Sequence, residues 1–268
     1  GISFDDKNNN MAWNIMSADA LSTKKLRIFQ SALYPTIRKW LKKFNKNPKH
    51  IEYQRIEFIE ETTDYSELKL YYQDMFNLVD KFHFNSYLTK SIYDKNLPFK
   101  LRGDVISITT SNIMQHQFEL KSRQKTTVAY IGPDEEYKGY FDFLRFVEKL
   151  DKNKFDIHTY GHVPNDYAPE NIVQKGRFQQ KNIGEIYSKI DYLIVPSRCK
   201  ETFGLVTLEA LSYGVTVFVS ENVGAKDIVG KDGTFKDIDN LILKQYQKMY
   251  NLKSLTEHSL EIIAFYSS

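Results

Sequence analysis

The feature that most restricts the fold of this chain is a regular alternation of strand-like and helix-like segments between residues 126 and 220. Runs such as TTVAYI and YLIV are almost continuously apolar, whereas the intervening segments repeat apolar residues every three or four positions. Strands are predicted at 126–132, 155–161, 171–178, 191–197 and 215–220. Helices are predicted between them at 139–150, 182–190 and 205–214. This alternation predicts an α/β fold in which helices cover both faces of a parallel sheet.

Upstream of residue 126 the periodicity is weaker, and the elements are predicted singly. A helix is expected at 66–79, and strands are expected at 50–60, 81–88 and 104–111. The polar segment at 121–125 is the predicted hinge between the two halves. The whole chain then divides into an amino-terminal domain at 1–121, a Rossmann-like domain at 122–240 and closing helices at 241–268.

Composition favours a globular protein of a reducing compartment. The 268 residues are 41% hydrophobic, enough for one large or two modest domains. A net charge of +3 indicates neither disorder nor a nucleic-acid partner. Cys199 has no second cysteine to pair with, and no apolar run of about 18 residues occurs, so we expect a cytoplasmic protein. The start, Gly-Ile-Ser, leads us to expect a processed or partial amino terminus.

A basic stretch at residues 21–50 predicts contact with an anionic membrane surface. It contains nine lysines and arginines and no acid, and its apolar residues, Trp40 among them, recur at helical spacing around Pro35. Such a face suits anionic lipid, which places the protein at the inner face of the membrane. The alternative is a helix that packs its apolar stripe on the domain and turns its basic face to solvent.

Two glutamates flank the turn that leads into the third predicted helix. The first amides of a helix lack partners, and Gly204 lets the backbone approach a ligand closely. The amides of Phe203, Gly204 and Leu205 therefore suit a nucleotide diphosphate. Glu201 would face a sugar, and Glu209 would accept hydrogen bonds from ribose hydroxyls. The alternative is that Glu201 is a helix-start charge and Glu209 a solvated helix position.

The stretch with both glutamates resembles the signature of family 4 retaining glycosyltransferases, which have the GT-B fold. It reads PSRCKETFGLVTLEALSYGVTVFVSENVGAKDIV, with Pro-Ser, a Glu, seven residues and a second Glu. The likeness continues through VAYIGPDEEYKGYFDFLRFVEKL and NIVQKGRFQQKNIGEIYSKIDYLIVPS, and more faintly through LVDKFHFNSYLTKSIYD. It implies an α/β GT-B protein with Rossmann-like parallel sheet domains, in which the amino-terminal, acceptor-side domain is reduced or truncated.

The resemblance also implies roles for individual positions. Lys138 matches the lysine that neutralises donor phosphate, and Glu201 matches the acid that holds the donor sugar, so both are implied catalytic residues. Glu209 matches the acid that holds the nucleotide ribose. The segment 176–178 corresponds to the loop near the base, and 202–205 to the phosphate-binding turn. The implied donor site contains Lys138, Arg177, Phe178, Glu201, Thr202, Phe203, Gly204, Leu205 and Glu209.

This chain departs from the family pattern at two places. Pro133 and Asp134 stand where the family usually has an arginine, so we expect either weaker phosphate binding than in the family or assistance from Arg102 or Arg123. Asp227 stands where the family often has a glutamate.

The implied reaction transfers a hexose or related sugar from a nucleotide-diphosphate sugar to a hydroxyl acceptor with retention, without a cofactor or metal ion. The basic stretch favours a lipid-linked or cell-envelope glycan as acceptor. The alternative function is a non-catalytic sugar-nucleotide-binding or partner subunit with a degenerate GT-B fold. Weaker motifs are interpreted as structural: the Asp-x-Asp at 237–239 as a polar turn, His158 and His162 as non-ligands, and Cys199 as a loop thiol.

Overall fold

The computed structural model describes residues 66–114, 124–246, 250 and 252–267, and its helices and strands are numbered here in chain order. Three predicted features lie wholly or partly outside these residues: the strand at 50–60, the basic stretch at 21–50 and the hinge at 121–125. None of the described helices is long and apolar enough to cross a membrane.

The first described part contains a small parallel sheet and two helices. Its elements are helix α1 (Ser66–Asn77), strand β1 (Phe82–Phe84), helix α2 (Tyr87–Asn96) and strand β2 (Gly103–Val105). Strand β1 pairs with β2 in parallel, and buried Phe84, Leu97 and Leu101 form an apolar cluster beside them. The helix predicted at 66–79 is confirmed.

The two strands predicted in this part are much shorter than expected. The prediction at 81–88 was wrong beyond Phe84, because the Ser86 side chain accepts a hydrogen bond from the Thr89 amide and so begins helix α2. The prediction at 104–111 was wrong beyond Val105, since the following residues lie in a loop. There the Thr109 hydroxyl donates to the Lys253 carbonyl, a contact that no short-range pattern could indicate.

The second part is a doubly wound α/β domain. Its strands are β3 (Thr126–Ile131), β4 (Phe155–Tyr160), β5 (Ile172–Gln174), β6 (Tyr192–Val195), β7 (Thr216–Ser220) and β8 (Thr234–Phe235). Its helices are α3 (Tyr140–Glu148), α4 (Ile183–Tyr187), α5 (Leu205–Ser212) and α6 (Lys226–Val229). Each predicted strand and helix of this part is present, but the strand predicted at 171–178 is confirmed only at Ile172–Gln174, and the helix predicted at 182–190 only at Ile183–Tyr187. Strand β8 and helix α6 are additional.

All neighbouring strands of this six-stranded sheet are parallel, in the order β5-β4-β3-β6-β7-β8. Counted along the chain from β3, this is the order 3-2-1-4-5-6 of a Rossmann-like sheet. The connections reverse direction between β3 and β6, and such sheets bind ligands beyond the carboxyl ends of the strands at that point.

The core lies on both faces of the sheet. Along β6, Leu193 packs into one buried cluster and Ile194 into the other, because successive side chains of a strand point to opposite faces. Along β7, Val217 and Phe218 divide in the same way. Burial on both faces explains why these strands are continuously apolar instead of alternating.

One closing helix, α7 (Leu255–Ser267), is present where one or two were expected, and residues 241–246 are not helical. It returns to the first part of the chain, where the Lys81 ammonium group donates to the Phe265 carbonyl at 2.5 Å. The carboxy-terminal segment thus connects the two described parts.

The turn at Gly139 packs closely against the loop at Pro196, and this contact can be tested. Gly139 and Gly176 both have left-handed φ angles, 73° and 77°, but a Cβ atom at Gly139 would lie 1.9 Å from the Pro196 carbonyl oxygen. At Gly176 it would meet only Pro164 Cδ at 3.8 Å. We expect Gly176→Ala to lower the free energy of unfolding by about 1–2 kcal/mol, from the φ angle alone.

Gly139→Ala should cost about 1–3 kcal/mol more, because the Pro196 carbonyl must move. Urea denaturation of both variants measures the difference. Equal losses of unfolding free energy in the two variants would mean that the turn at Gly139 and the loop at Pro196 are not in rigid contact.

Candidate functional site

The two implied catalytic residues, Lys138 and Glu201, lie in the loops that follow β3 and β6, where the strand order reverses. A single 3-10 turn, Glu136–Lys138, follows β3 and places Lys138 at this edge. Glu201 follows β6 and forms a parallel bridge with Val223 in the loop after β7. The Tyr137 carbonyl accepts hydrogen bonds from the Arg198 and Cys199 amides at 3.0 Å each, which join the loops after β3 and β6.

Lys138 and Glu201, the two implied catalytic residues, form an ion pair. The Lys138 Nζ lies 2.9 Å from the Glu201 Oε1, and the two side chains are 29% and 15% exposed. Partial burial by itself lowers the pKa of Lys138, but the adjacent Glu201 carboxylate outweighs this effect, and the net pKa is raised. Lys138 is therefore a firmly charged cation at neutral pH.

A second ion-pair group braces the turn that carries Lys138. The Arg198 guanidinium donates to both oxygens of Asp142 at 2.5 and 2.6 Å, and to Glu136 at 2.7 Å. The Asp142 hydrogen bonds, together with the charges of Asp142 and Glu136, raise the pKa of Arg198 against the opposing effect of burial. Bidentate pairing of this kind fixes orientation as well as charge. Arg198 thus holds Glu136, two residues before Lys138, in place.

The predicted phosphate-binding turn has backbone amides at the start of α5 that are unpaired among the described residues. Gly204 has a φ of 97°, and a Cβ atom there would lie 2.8 Å from Val223 Cγ1, so this position requires glycine. Across the described part of the chain, no acceptor takes a hydrogen bond from the amides of Phe203, Gly204 or Leu205. A helix start with unpaired amides is a favourable place for an anion.

Glu209 lies on the second turn of α5 and is held by two side chains. Its Oε1 accepts a hydrogen bond from the side-chain Nδ2 of Asn112 at 2.7 Å, and its Oε2 accepts one from the Tyr187 hydroxyl at 3.1 Å. Burial, and then the Glu209 charge, raise the pKa of Tyr187, so its hydroxyl remains a donor. Gln180 in turn donates to the Asn112 oxygen at 2.6 Å. Glu209 is therefore an oriented acceptor, and the solvated-helix alternative does not describe it.

Sequence reasoning missed Asn112, Tyr187 and Gln180. Tyr187 was included in a predicted helix, but nothing in its spacing indicated that its hydroxyl reaches Glu209. Asn112 directly follows the segment predicted as a strand at 104–111 and is 97 positions from Glu209 along the chain. Only the closing of the fold brings these groups together.

The loop predicted to approach a base follows β5. The Gly176 carbonyl accepts from the Gly161 amide at 2.9 Å, which fixes the start of this loop beside the end of β4. Arg177 is exposed, and Phe178, 36% exposed, lies edge-on to the Tyr160 ring. An exposed aromatic ring and a guanidinium suit stacking with a planar group.

At the positions that depart from the family pattern, the side chains are engaged elsewhere. Asp134 accepts from the Tyr167 hydroxyl at 2.5 Å, and Asp227 accepts from the Tyr87 backbone amide at 3.0 Å. Arg102 precedes β2, at the end of the small sheet opposite Ser86, while Arg123 lies outside the described residues. Arg102 is thus not placed beside Lys138.

The weaker motifs have local contacts. Asp237 accepts from the Asp239 amide as a turn cap, and Asp239 pairs with Lys149 at 2.6 Å. Burial raises the pKa of Cys199, which argues against a reactive thiolate. Within the described residues, no group of three or more His, Cys, Asp or Glu side chains is arranged to hold a metal ion.

Residues 125–247 match the model of a protein family described as Glycosyl transferases group 1. A Klebsiella pneumoniae protein, described as an uncharacterized 41.2 kDa protein in cps region, is 31% identical over 115 residues. That alignment covers 41% of this chain and 32% of the Klebsiella protein.

Two solved structures share the fold. Sucrose-phosphate synthase from Thermosynechococcus elongatus has a TM-score of 0.51 and 14% identity, over 66% of this chain and 52% of that chain. The apo form of the lipopolysaccharide outer core galactosyltransferase WaaB has a TM-score of 0.51 and 17% identity, over 61% of this chain and 51% of that chain. The chain spans about half the length of these structures and about a third of the Klebsiella protein.

At such low identity the structural likeness shows the fold, and the predicted α/β GT-B class with a Rossmann-like parallel sheet is confirmed. The match to a Glycosyl transferases group 1 domain rests on the sequence of residues 125–247.

The Lys138–Glu201 pair is testable by a double-mutant cycle of Lys138→Met, Glu201→Gln and the double variant. We expect a coupling of about 1 kcal/mol at pH 7 from urea denaturation, between the values for exposed and buried pairs. Because folding raises the pKa of Lys138, this stabilisation is fully present below the ordinary lysine pKa of about 10.4 and is lost as the pH rises through the folded value. Zero coupling at pH 7 would mean that the two side chains act independently.

Proposed function

We propose that this protein is a family 4 retaining glycosyltransferase, hexosyltransferase-like, that transfers a sugar from a nucleotide-diphosphate donor to a hydroxyl acceptor. The observation that carries the proposal is the Lys138–Glu201 pair beside a turn of unpaired amides, with the oriented Glu209 farther along the same helix. The cation and the amides suit the phosphates of such a donor, and the two carboxylates suit its sugar and its ribose.

In the proposed complex, the diphosphate lies against the amides of 203–205. Lys138 turns from Glu201 towards the phosphates and stabilises the negative charge that develops on the leaving diphosphate. Glu201, released from the pair, accepts hydrogen bonds from sugar hydroxyls, and Glu209 holds the ribose. Arg177 and Phe178 lie beside the base.

Retention follows in this proposal from attack by the acceptor hydroxyl on the face that the phosphate leaves, with the departing phosphate oxygen taking the proton. The proposed reaction needs no protein nucleophile and no cofactor. Lys138 supplies the positive charge that a metal ion provides in other transferases.

We propose a lipid-linked or cell-envelope glycan as the acceptor. The support is indirect: the related Klebsiella protein is described by its cps region, and WaaB is a lipopolysaccharide outer core galactosyltransferase. The basic stretch at 21–50 favours binding to an anionic membrane surface, which would place a cytoplasmic enzyme at its inner face. No nucleic-acid partner is proposed.

A second candidate, a non-catalytic subunit that binds a sugar nucleotide or a partner, is favoured by one observation. Where the family usually has an arginine, Asp134 is engaged with Tyr167, and the neighbouring Arg198 is committed to Asp142 and Glu136. Fewer unpaired positive charges are therefore available beside Lys138 to bind phosphate than in a family member with that arginine.

Nucleotide binding tests both candidates at the donor site. Calorimetry of the full chain against UDP, GDP and ADP should detect one preferred base. Lys138→Ala should weaken that binding about 10- to 100-fold, as expected for a lost charge-assisted hydrogen bond. Glu209→Ala should weaken it as well, whereas Lys149→Ala, which removes an exposed lysine paired with Asp239, is the matched control. Absence of binding by all three nucleotides would contradict the proposed donor site.

Turnover separates the enzyme from the non-catalytic subunit. With the donor sugar that matches the preferred base, Glu201→Gln should lower kcat by about 100-fold or more while leaving diphosphate affinity within a few-fold, because Glu201 is assigned to the sugar. Release of nucleoside diphosphate in the presence of acceptor measures kcat. A chain that binds the nucleotide but releases none with any envelope-glycan acceptor supports the second candidate.

A further inference from the structure

We propose that Ser86 and Thr89 are positioning residues for the phosphate-binding turn, and that their hydroxyls fix the Thr202 carbonyl so that the turn's amides face the donor. This inference rests on the proposed function. It assigns part of the donor site to helix α2, which lies outside the matched domain at 125–247.

Two hydroxyls from α2 converge on one carbonyl oxygen. The Ser86 Oγ lies 2.7 Å from the Thr202 oxygen, and the Thr89 Oγ1 lies 3.1 Å from it. A carbonyl oxygen only accepts hydrogen bonds, so both hydroxyls donate to it and occupy its two lone pairs. Ser86 is 1% exposed, which shields its bond from water.

The bonds to Thr202 are separate from the capping of α2. As cap, Ser86 needs only to accept from the Thr89 amide, which it does at 3.1 Å. The Ser86 proton and the whole Thr89 hydroxyl are surplus to that role. Both lie within hydrogen-bond distance of the Thr202 oxygen, which is 116 residues from Ser86 along the chain, and the two hydroxyl oxygens lie 3.1 Å from each other.

Anchoring this carbonyl sets the direction of the next amide. In a trans peptide, the C=O and N–H bonds of one unit point in opposite directions. A Thr202 carbonyl held towards α2 therefore points the Phe203 amide away from α2.

The following two units are fixed in the same way. The Phe203 carbonyl accepts from the Ala225 amide at 2.7 Å, and the Gly204 carbonyl accepts from the Thr207 amide at 3.0 Å. Three consecutive carbonyls are thus occupied, while the three amides that follow them meet no acceptor in the described part of the chain. This preorganises the turn for an anion. The last two carbonyl bonds arise within the sheet domain, and the first comes from α2.

The contact leaves little room for another arrangement. A Cβ atom at Gly224 would lie 2.3 Å from the Thr202 oxygen and 2.5 Å from the Ser86 Oγ. The Tyr87 amide at the start of α2 is also bound by Asp227 at 3.0 Å. Helix α2 is therefore fixed to the loops after β6 and β7 together.

The experiment compares hydroxyl-deleting variants of α2 with matched controls. Thr89→Val removes one donor and keeps the Ser86 cap, and Ser86→Gly removes the other donor with a residue that still caps helices well. Thr89→Ser restores the donor. Ser91→Ala is the control for hydroxyl loss, since Ser91 is exposed on α2 and bonds only to its own helix at the Leu88 carbonyl.

We expect Thr89→Val and Ser86→Gly each to weaken binding of the preferred nucleoside diphosphate about three- to tenfold, as for one lost hydrogen bond. Thr89→Ser and Ser91→Ala should stay within about twofold of wild type. At saturating diphosphate, the downfield shifts of the 203–205 amide protons in NMR spectra should be smaller in Thr89→Val than in wild type. A purely structural role for Thr89 would not change those shifts in the saturated complex.

Two outcomes would overturn the inference while leaving the proposed function intact. One is a wild-type protein that binds the diphosphate, with Thr89→Val and Ser86→Gly binding equally well and showing the same amide shifts. The other is an equal loss in Thr89→Ser and Thr89→Val. A wild-type protein that binds no nucleoside diphosphate would overturn the proposed function and this inference together.

Discussion

The site depends on one contact between two loops, in which the Tyr137 carbonyl accepts from the amides of Arg198 and Cys199. These loops follow β3 and β6, the strands between which the sheet order reverses. The contact joins the two loops that border the crevice of a Rossmann-like sheet. With it, Lys138 lies next to the bound carbonyl and Glu201 two residues beyond the bound amides, so their ion pair follows from backbone geometry.

Charge balance explains how the site is stable before a donor binds. Arg198 pairs with Glu136 and with Asp142, which also pairs with Arg145, whereas Lys138 pairs with Glu201. The two cations differ in whether they can leave their carboxylates for a ligand. Arg198 is held in a bidentate arrangement beside the turn that carries Lys138. Lys138 is held by one ion pair among the described residues, to Glu201, and its flexible chain can move to a phosphate. Lys138 is therefore the cation suited to respond to a ligand, and Arg198 is suited to remain fixed.

Much of the second part could be predicted, because strands buried on both faces leave a continuous apolar run that is easy to recognise. Strand β8 and helix α6 were not predicted, since two and four residues carry no periodicity. The extended run at 81–88 was misread because a single serine cap converts its second half into a helix. Glu201 and Glu209 were predicted from the helix start as well as from the resemblance, whereas Lys138 was predicted from the resemblance alone. The partners of Glu209 were not, because hydrogen bonds across 97 and 22 positions leave no pattern in either segment.

Contacts from residues before position 125 show that the candidate site extends beyond the matched domain. The family match begins at residue 125, yet Asn112 orients Glu209, and Ser86 and Thr89 bind the Thr202 carbonyl. Each of these groups contributes a donor to an acceptor in the matched domain. Both acceptors are partly buried, so the sheet domain alone would have to rearrange or hydrate both positions. The smallest unit that can hold the proposed donor in the geometry described is therefore larger than the domain that the sequence match defines, and it includes α2 and the loop after β2.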